Sequence, residues 1–196
     1  MEKRIVVRRL QIDDVARVAT LLSDSFYAND SWLGWAVPIF RMGIYQDLKT
    51  RALTQTPRHT CLVGFQSSAQ GETTLVGTVE VTAKPLTAWS LLDPTVPYVS
   101  NLAVAKAFRR QGVGQHLLLA CEQVANTWGF NEIYLHVKEE NRSARRLYKR
   151  VGYHPYRNDV PIWARLLGSP QELLLRKPLM QSALKVQGLQ NGSSSA

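Results

Sequence analysis

The order of apolar and polar positions divides the chain into short alternating runs and longer runs of helical period. Residues 5–10 (Ile5-Val6-Val7-Arg8-Arg9-Leu10) read as a first strand. Asp13 or Asp14 then stands where a helix N-cap belongs, and Val15, Val18, Leu21 and Leu22 follow at helical spacing until about Phe26. The aromatic segment from Trp32 to about Leu53 is expected to be helical, interrupted by Gly34 and Pro38, and to form a lid on the core or one wall of a substrate site. Residues 60–66 and 73–83 flank a Ser-Ser-Ala-Gln-Gly turn, which predicts an antiparallel hairpin, and a loop bearing Pro85, Asp93, Pro94 and Pro97 follows.

In the second half the pattern predicts a strand over 98–104, an amphipathic helix over 112–128, a strand over 132–137 and a helix over 142–151. Strand-helix-strand-helix is the order of a parallel pair with a crossover. Gly152 stops the last helix, and residues 153–156 and 172–176 read as closing strands. The fold class is therefore α/β, in the α+β form with a mixed sheet. At 196 residues and 45% hydrophobic, the size suits one core. The expected organisation is one domain over 1–178 and a polar, disordered tail over 179–196 ending Gln190-Asn191-Gly192 and serines.

The most apolar stretch, around 32–45, is broken by Gly34, Pro38 and Arg41, which argues against a membrane span. Met1-Glu2-Lys3-Arg4 leads directly into a strand without a signal-peptide core, so the expectation is a cytoplasmic protein, or a plastid stromal one if a presequence has been removed. Cys61 and Cys121 lack metal-ligand spacing and read as packed, reduced thiols, with no metal site. The net charge of +9 points to an anionic partner without saying which. Nucleic acid, acidic lipid and a phosphorylated cofactor all satisfy it, and no recognisable nucleic-acid motif accompanies the charge.

Arg109-Arg110-Gln111-Gly112-Val113-Gly114 stands between a strand and a long helix. Two glycines there permit a tight turn and close backbone approach, so that several N–H groups can point at one anion where the helix dipole favours negative charge. The run is neither a dinucleotide fingerprint nor a P-loop, and an ordinary helix-start turn remains open. Farther on, Asn141-Arg142-Ser143-Ala144-Arg145-Arg146-Leu147-Tyr148-Lys149-Arg150-Val151-Gly152-Tyr153 puts Ala144 and Tyr148 on one helix face, with Arg145 and Lys149 on the next row. A small residue beside a phenol can admit a slender ligand and offer it one O–H.

R-x-x-G-x-G after a strand ending Asn-Leu-Ala-Val, followed by N-x-x-A-x-x-L-Y-x-x-x-G-Y, resembles the GNAT superfamily of N-acetyltransferases over about residues 98–153. The first hundred residues match only in the order of strands and helices. The resemblance implies a mixed sheet whose central parallel strands, the fourth and fifth, splay apart to admit the pantetheine arm of acetyl-CoA. It implies that backbone groups of Leu102, Ala103 and Val104 pair with pantetheine. Arg109, Arg110, Gln111, Gly112, Val113 and Gly114 would then hold the pyrophosphate, with Asn141, Ala144 and Arg145 on the other side. The charge would in large part serve that anion.

By the same resemblance Tyr148 is the general acid for coenzyme A, and a phenol with a pKa of about 10 is protonated at neutral pH, as that role requires. Tyr98 and His136, on neighbouring strands, look like the tyrosine and histidine of E-type N-terminal acetyltransferases, which deprotonate the acceptor amine through an ordered water. Glu80, between apolar Val79 and Val81, is the competing base, or else a solvent-facing glutamate. Phe26 and Tyr27 are expected at the acceptor, with Trp32 and Trp35 nearby if the pocket is closed. An α-amine with a pKa of about 8 is roughly 10% neutral at pH 7, against less than about 0.1% for a lysine, so a mild base suits an α-amine more easily. The chain also resembles cyanobacterial and plastid members of the superfamily, some acting on protein N-termini and lysines and some described as serotonin acetyltransferases. The function implied is acetyl transfer from acetyl-CoA to a primary amine, by a monomer or homodimer. A small-arylalkylamine acceptor and a non-catalytic acetyl-CoA-binding regulator are the alternatives.

Overall fold

The computed structural model describes residues 4–26, 37–54, 56–67, 73–86, 94–157 and 172–180. Within them the alternating runs form β1 (Ile5–Arg9), β2 (His59–Ser67), β3 (Thr73–Pro85), β4 (Thr95–Val104), β5 (Glu132–Lys138), β6 (His154–Arg157) and β7 (Glu172–Pro178). The helical runs form α1 (Val15–Phe26), α2 (Val37–Thr54), α3 (Val113–Thr127) and α4 (Arg142–Val151). The strands make one sheet in the order β1-β2-β3-β4-β5-β7-β6, antiparallel throughout except for the parallel pair β4–β5. This is the α+β mixed sheet expected from the sequence.

Alternation along each strand sends successive side chains to opposite faces. On one face Leu62, Val76, Val79, Val99, Ile133 and Leu135 pack with Leu117, Leu118, Cys121 and Val151 of α3 and α4. On the other, Cys61, Val63, Phe65 and Ala103 pack with Val15, Val18, Leu22 and Leu48 of α1 and α2. Asp14 fastens the start of α1 to β1. It is 1% exposed, accepts hydrogen bonds from Arg8 at 2.6 and 3.0 Å and from the Gln11 N–H at 3.0 Å, and pairs with Arg17 at 2.9 Å.

The centre of the sheet is parted. β4 and β5 pair only at Tyr98↔Tyr134 and Val99↔Leu135, although both strands run on beyond that point. The cause lies in β4. Against β3, Thr78 faces Ala103 and Glu80 faces Ser100, so two steps on β3 span three on β4. The extra residue is a β-bulge that includes Asn101 at φ 52°, a left-handed conformation asparagine adopts more readily than most residues. The bulge turns β4 away from its parallel neighbour.

Three boundaries differ from expectation. β4 begins at Thr95, with Pro97 inside it. Ala83 gives its N–H to Arg58 O on the side away from β4, so Ala83 and Pro97 form a pair without mutual hydrogen bonds and the missing proline N–H costs that ladder nothing. The described part of the aromatic segment is α2 alone, with Pro38 in its first turn, where no intrahelical N–H bond is lost. Leu179, expected at the start of a tail, is buried in the α3 core and donates its N–H to Asn131 O at 2.7 Å.

Candidate active site

Beyond Val99, half of the β4 backbone N–H and C=O groups face a gap where β5 would otherwise be, which opens residues 100–104 to an outside partner. Leu102 and Val104 present theirs to the gap, whereas buried Ala103 between them turns its own toward β3. A turn of 3-10 helix (Lys106–Phe108) carries the chain from β4 into α3. Arg110 at φ 65° and Gly112, the N-cap, at φ 83° are both left-handed, and such alternation turns successive N–H groups into a concave anion cradle. The first turn of α3 adds N–H groups that have no intrahelical acceptor, at the positive end of the helix dipole.

The side chains of the motif have more varied work than the sequence suggested. Arg109 Nε donates to Val104 O at 3.0 Å, and Gln111 Nε2 to Ala107 O at 3.1 Å, so both brace the turn. Val113 is core. Gly114 is buried, and a Cβ there would lie 2.9 Å from Leu147 Cδ2. Its smallness seats α4 against α3, a different reason from the close anion approach expected. On α4, Asn141 caps the helix by accepting the Ala144 N–H at 3.0 Å, Arg145 Nη1 donates to Glu139 O at 3.0 Å, and Ala144 packs at the core edge. Arg110, Arg142, Arg146, Lys149 and Arg150 are exposed.

Tyr98 and His136 meet on the α1/α2 face, with the Tyr98 phenol 2.8 Å from His136 Nδ1 and the rings 5.7 Å apart. Register brings them together, because Tyr98 lies opposite Tyr134 and His136 is two residues farther on the same face. Burial pushes the Tyr98 phenol up, a hydrogen bond from the His136 backbone opposes that, and the charge of Glu172 adds to the rise. Tyr148 approaches from the other layer. It is 8% exposed, packs 5.9 Å from the Tyr153 ring, and burial with the nearby Tyr98 phenol pushes it up to about 12. Two protonated phenols thus converge on the parting of β4 and β5, one from each face of the sheet.

Glu80 is not solvent-facing. It is 2% exposed on the α2 side of β3, because Val79 and Val81 take the α3 side. Its Oε2 accepts from Arg51 Nη1 at 3.2 Å and lies 3.6 Å from His59 Nε2, while Oε1 is buried without a hydrogen-bond partner among the described residues. Its visible interactions tie β3 to α2. Phe26 closes α1 with its side chain outside the described residues, as are Tyr27, Trp32 and Trp35.

The sequence reading missed Lys84, whose Nζ lies 3.7 Å above the centre of the Tyr98 ring. Parity was the available signal, since Glu80, Thr82 and Lys84 share one face of β3 and Thr82 lies opposite Tyr98. It also missed Tyr134, which donates to Glu132 Oε2 at 2.5 Å and meets the Tyr156 ring edge-on at 5.3 Å. Among the described residues no group of three or more His, Cys, Asp or Glu could hold a metal, and no helix is long and apolar enough to cross a membrane.

A bulged strand parted from its parallel neighbour, followed by an anion-cradling helix start, defines an acetyl-CoA-dependent N-acetyltransferase. The chain belongs to the acetyltransferase (GNAT) family, whose model matches residues 21–153. It is 31% identical over 183 residues to GCN5-related N-acetyltransferase 10, chloroplastic, of Arabidopsis thaliana, an alignment covering 87% of this chain and 71% of that one. With GCN5-related N-acetyltransferase 5, chloroplastic, of the same plant, it shares 27% over 187 residues, 88% of this chain and 58% of the relative. The fold is that of the PaiA N-acetyltransferase from Thermoplasma acidophilum in complex with coenzyme A, with a TM-score of 0.62 at 17% identity over 89% of this chain and 99% of that one. The ribosomal-protein-S18-alanine N-acetyltransferase from Escherichia coli gives 0.58 at 15%, over 94% and 100% of the respective chains.

Proposed function

We propose that the enzyme acetylates protein amines, N-terminal α-amines and lysine ε-amines, by direct attack of the amine on acetyl-CoA. The observation that carries this reading is the Tyr98–His136 pair at 2.8 Å, standing where the two central strands part. Acetyl-CoA supplies the thioester as acyl donor. The gap-facing backbone of Leu102 and Val104 pairs with its pantetheine arm, and Ala103 between them holds β4 to β3. The N–H groups of Gly112, Val113 and Gly114 take the pyrophosphate on the turn braced by Arg109, with exposed Arg110 and Arg145 adding charge. Donors held in place before the reaction stabilise the oxyanion without reorganisation, and the gap-facing β4 N–H groups of Leu102 and Val104 supply them.

Three proton events complete the step. The pair Tyr98–His136 removes a proton from the acceptor ammonium, through water. The neutral amine adds to the carbonyl carbon. Tyr148, protonated because it is buried, then gives its proton to the departing thiolate sulfur, and the second proton lost by the acylated nitrogen restores the phenol. A pair of this kind is a mild base, which suits an α-amine first and a desolvated lysine second. The similarity to ribosomal-protein-S18-alanine N-acetyltransferase agrees with a protein N-terminal acceptor, and the chloroplastic relatives agree with work in the plastid stroma rather than the cytoplasm. A second reading, a small arylalkylamine acceptor, draws on the aromatic surface of Tyr98, Tyr134 and Tyr156.

The test offers acetyl-CoA with Met-initiated peptides, lysine peptides and arylalkylamines in parallel, following free thiol beside Tyr148→Phe. Thiol release that requires Tyr148 and is fastest with a peptide amine is expected. Release only with arylalkylamines selects the second reading, and none with any acceptor overturns both.

A further inference from the structure

Several of the molecule's cations are held by carboxylates. Arg8 and Arg17 meet Asp14, Arg41 meets Asp24, Arg51 meets Asp47 and Glu80, Arg176 meets Glu132, and Lys177 meets Glu122. α4 has no such partners. It carries Arg142, Arg145, Arg146, Lys149 and Arg150 without one acid, all five are exposed, and among the described residues no carboxylate pairs with any of them. The helix bears this charge at a cost. Arg142 and Arg146, Arg145 and Lys149, and Arg146 and Arg150 are like charges one turn apart, and Arg142 and Arg145 stand in the first turn, at the positive end of the helix dipole. The inward face of α4 is Ala144, Leu147, Tyr148 and Val151. Arg142, Arg146 and Arg150 form a ridge turned away from that face, rising about 6 Å per step. Arg145 lies on the opposite flank, beside the Ala144 row that lines the cofactor, so the ridge is separate from the groups assigned to acetyl-CoA.

We propose that the ridge Arg142, Arg146 and Arg150 docks the enzyme on the phosphate backbone of RNA. Guanidinium forks bind phosphate oxygens in pairs, and successive phosphates along one strand meet successive arginines along one helix. Binding relieves the repulsion within α4, so the charge that weakens the free helix becomes favourable in the complex, and released counterions add to the driving force. Phosphate contacts of this kind read no bases and need no sequence motif, in keeping with the lack of one here. A membrane surface fits less well. An interfacial helix sinks an apolar face into lipid, whereas the apolar face of α4 is spent on the core and no large apolar side chain is exposed on the helix. For an enzyme of protein amines the consequence is local concentration, since an RNA–protein assembly held at α4 presents its protein termini to the neighbouring site.

The protein is titrated into a fluorescently labelled single-stranded RNA of about 20 nucleotides with coenzyme A saturating, and anisotropy is read between about 50 and 300 mM KCl. A Kd on the order of 1–10 µM at about 100 mM salt is expected, with log Kd rising with log salt at a slope of about 2, from three phosphates at about 0.7 each. Arg146→Gln combined with Arg150→Gln should weaken binding at least about tenfold and lower the slope to about 0.7, while Tm holds or rises and coenzyme A affinity stays within about twofold. RNA binding that vanishes once coenzyme A is added would return the ridge to the cofactor and overturn the proposal. So would an affinity unchanged in the double variant, a polyglutamate of matched charge bound as tightly, or phosphatidylglycerol vesicles bound more tightly than the RNA. Peptide acetylation followed in parallel should be the same in wild type and double variant, so the transferase reading stands or falls on its own.

Discussion

The two faces of the sheet are built in different ways. On the α3/α4 face the site is mostly backbone: open groups of a bulged strand, a left-handed N-cap and helix-start N–H groups, with side chains as braces and Tyr148 as the one phenol. On the α1/α2 face it is side chain: Tyr98 and His136, with Lys84 over the Tyr98 ring, and the buried carboxylates Asp14 and Glu80 tie the helices down around them. Backbone recognition suits a ligand that never changes, because it depends on chain conformation rather than on any one functional group. Side-chain recognition can be retuned one residue at a time, which suits the face where acceptors differ.

The contrast is broken most directly at Tyr98. Tyr98→Phe removes the hydroxyl that meets His136 and leaves the α3 turn untouched. The expected loss is about 10²-fold in kcat, with acetyl-CoA affinity unchanged within about threefold. Steady-state rates beside calorimetric titration with coenzyme A check both, and equal losses in the two would erase the distinction between the faces.

Asp14 comes next. Burial works to raise its pKa, but the hydrogen bonds and charges of Arg8, the Gln11 N–H and Arg17 outweigh it, leaving the carboxyl below the ordinary value of 3.8. A folded pKa below the unfolded one contributes stability that is complete above the unfolded value and is lost as pH falls through the folded one. Asp14→Asn should therefore cost about 1.5–3 kcal/mol at neutral pH. It should also flatten the decline in Tm on acidification below about pH 4. Thermal melts across that window decide, and an unchanged acid limb would assign the decline to other carboxylates.

Gly114 sharpens the other side. Gly114→Ala puts a methyl 2.9 Å from Leu147 Cδ2 and should cost about 1–3 kcal/mol, largely restored by adding Leu147→Ala. If coenzyme A affinity collapses while Tm holds, and Leu147→Ala rescues neither, Gly114 serves the anion instead. The smallest effect is at Asn141, where Asn141→Ala removes the α4 cap at a cost of about 0.5–2 kcal/mol. Its signature is a lower Tm that an Asp at the same position recovers.

The same contrast governs what was legible in the sequence. Residues 98–153 could be read because their chemistry is local: a strand, a turn and a helix start lie consecutively, and α4 carries its cap, phenol and terminal Gly152 within one short run. Local spacing did not reveal that Gly114 also meets Leu147 on another helix. Tyr98 and His136 were found because parallel alternation gave the shared face. Glu80 was misread because its face depends on Arg51, 29 residues away on α2, and alternation alone does not reveal which face a helix will cover. Lys84 escaped because only the β3–β4 register brings it to Tyr98. The bulge at Asn101 left no trace in the hydrophobic pattern, since one extra residue in β4 reads as ordinary length.

That bulge leaves the sheet as two plates, β1-β2-β3-β4 and β5-β7-β6, joined by two residue pairs and backed by α3. Such a seam is a soft hinge line, where local opening breaks few sheet hydrogen bonds and amides should exchange with solvent long before the plates themselves unfold. A cosubstrate laid along β4 acts there as a rivet: each molecule bound stiffens the protein as a whole, and each coenzyme A released returns the hinge its play.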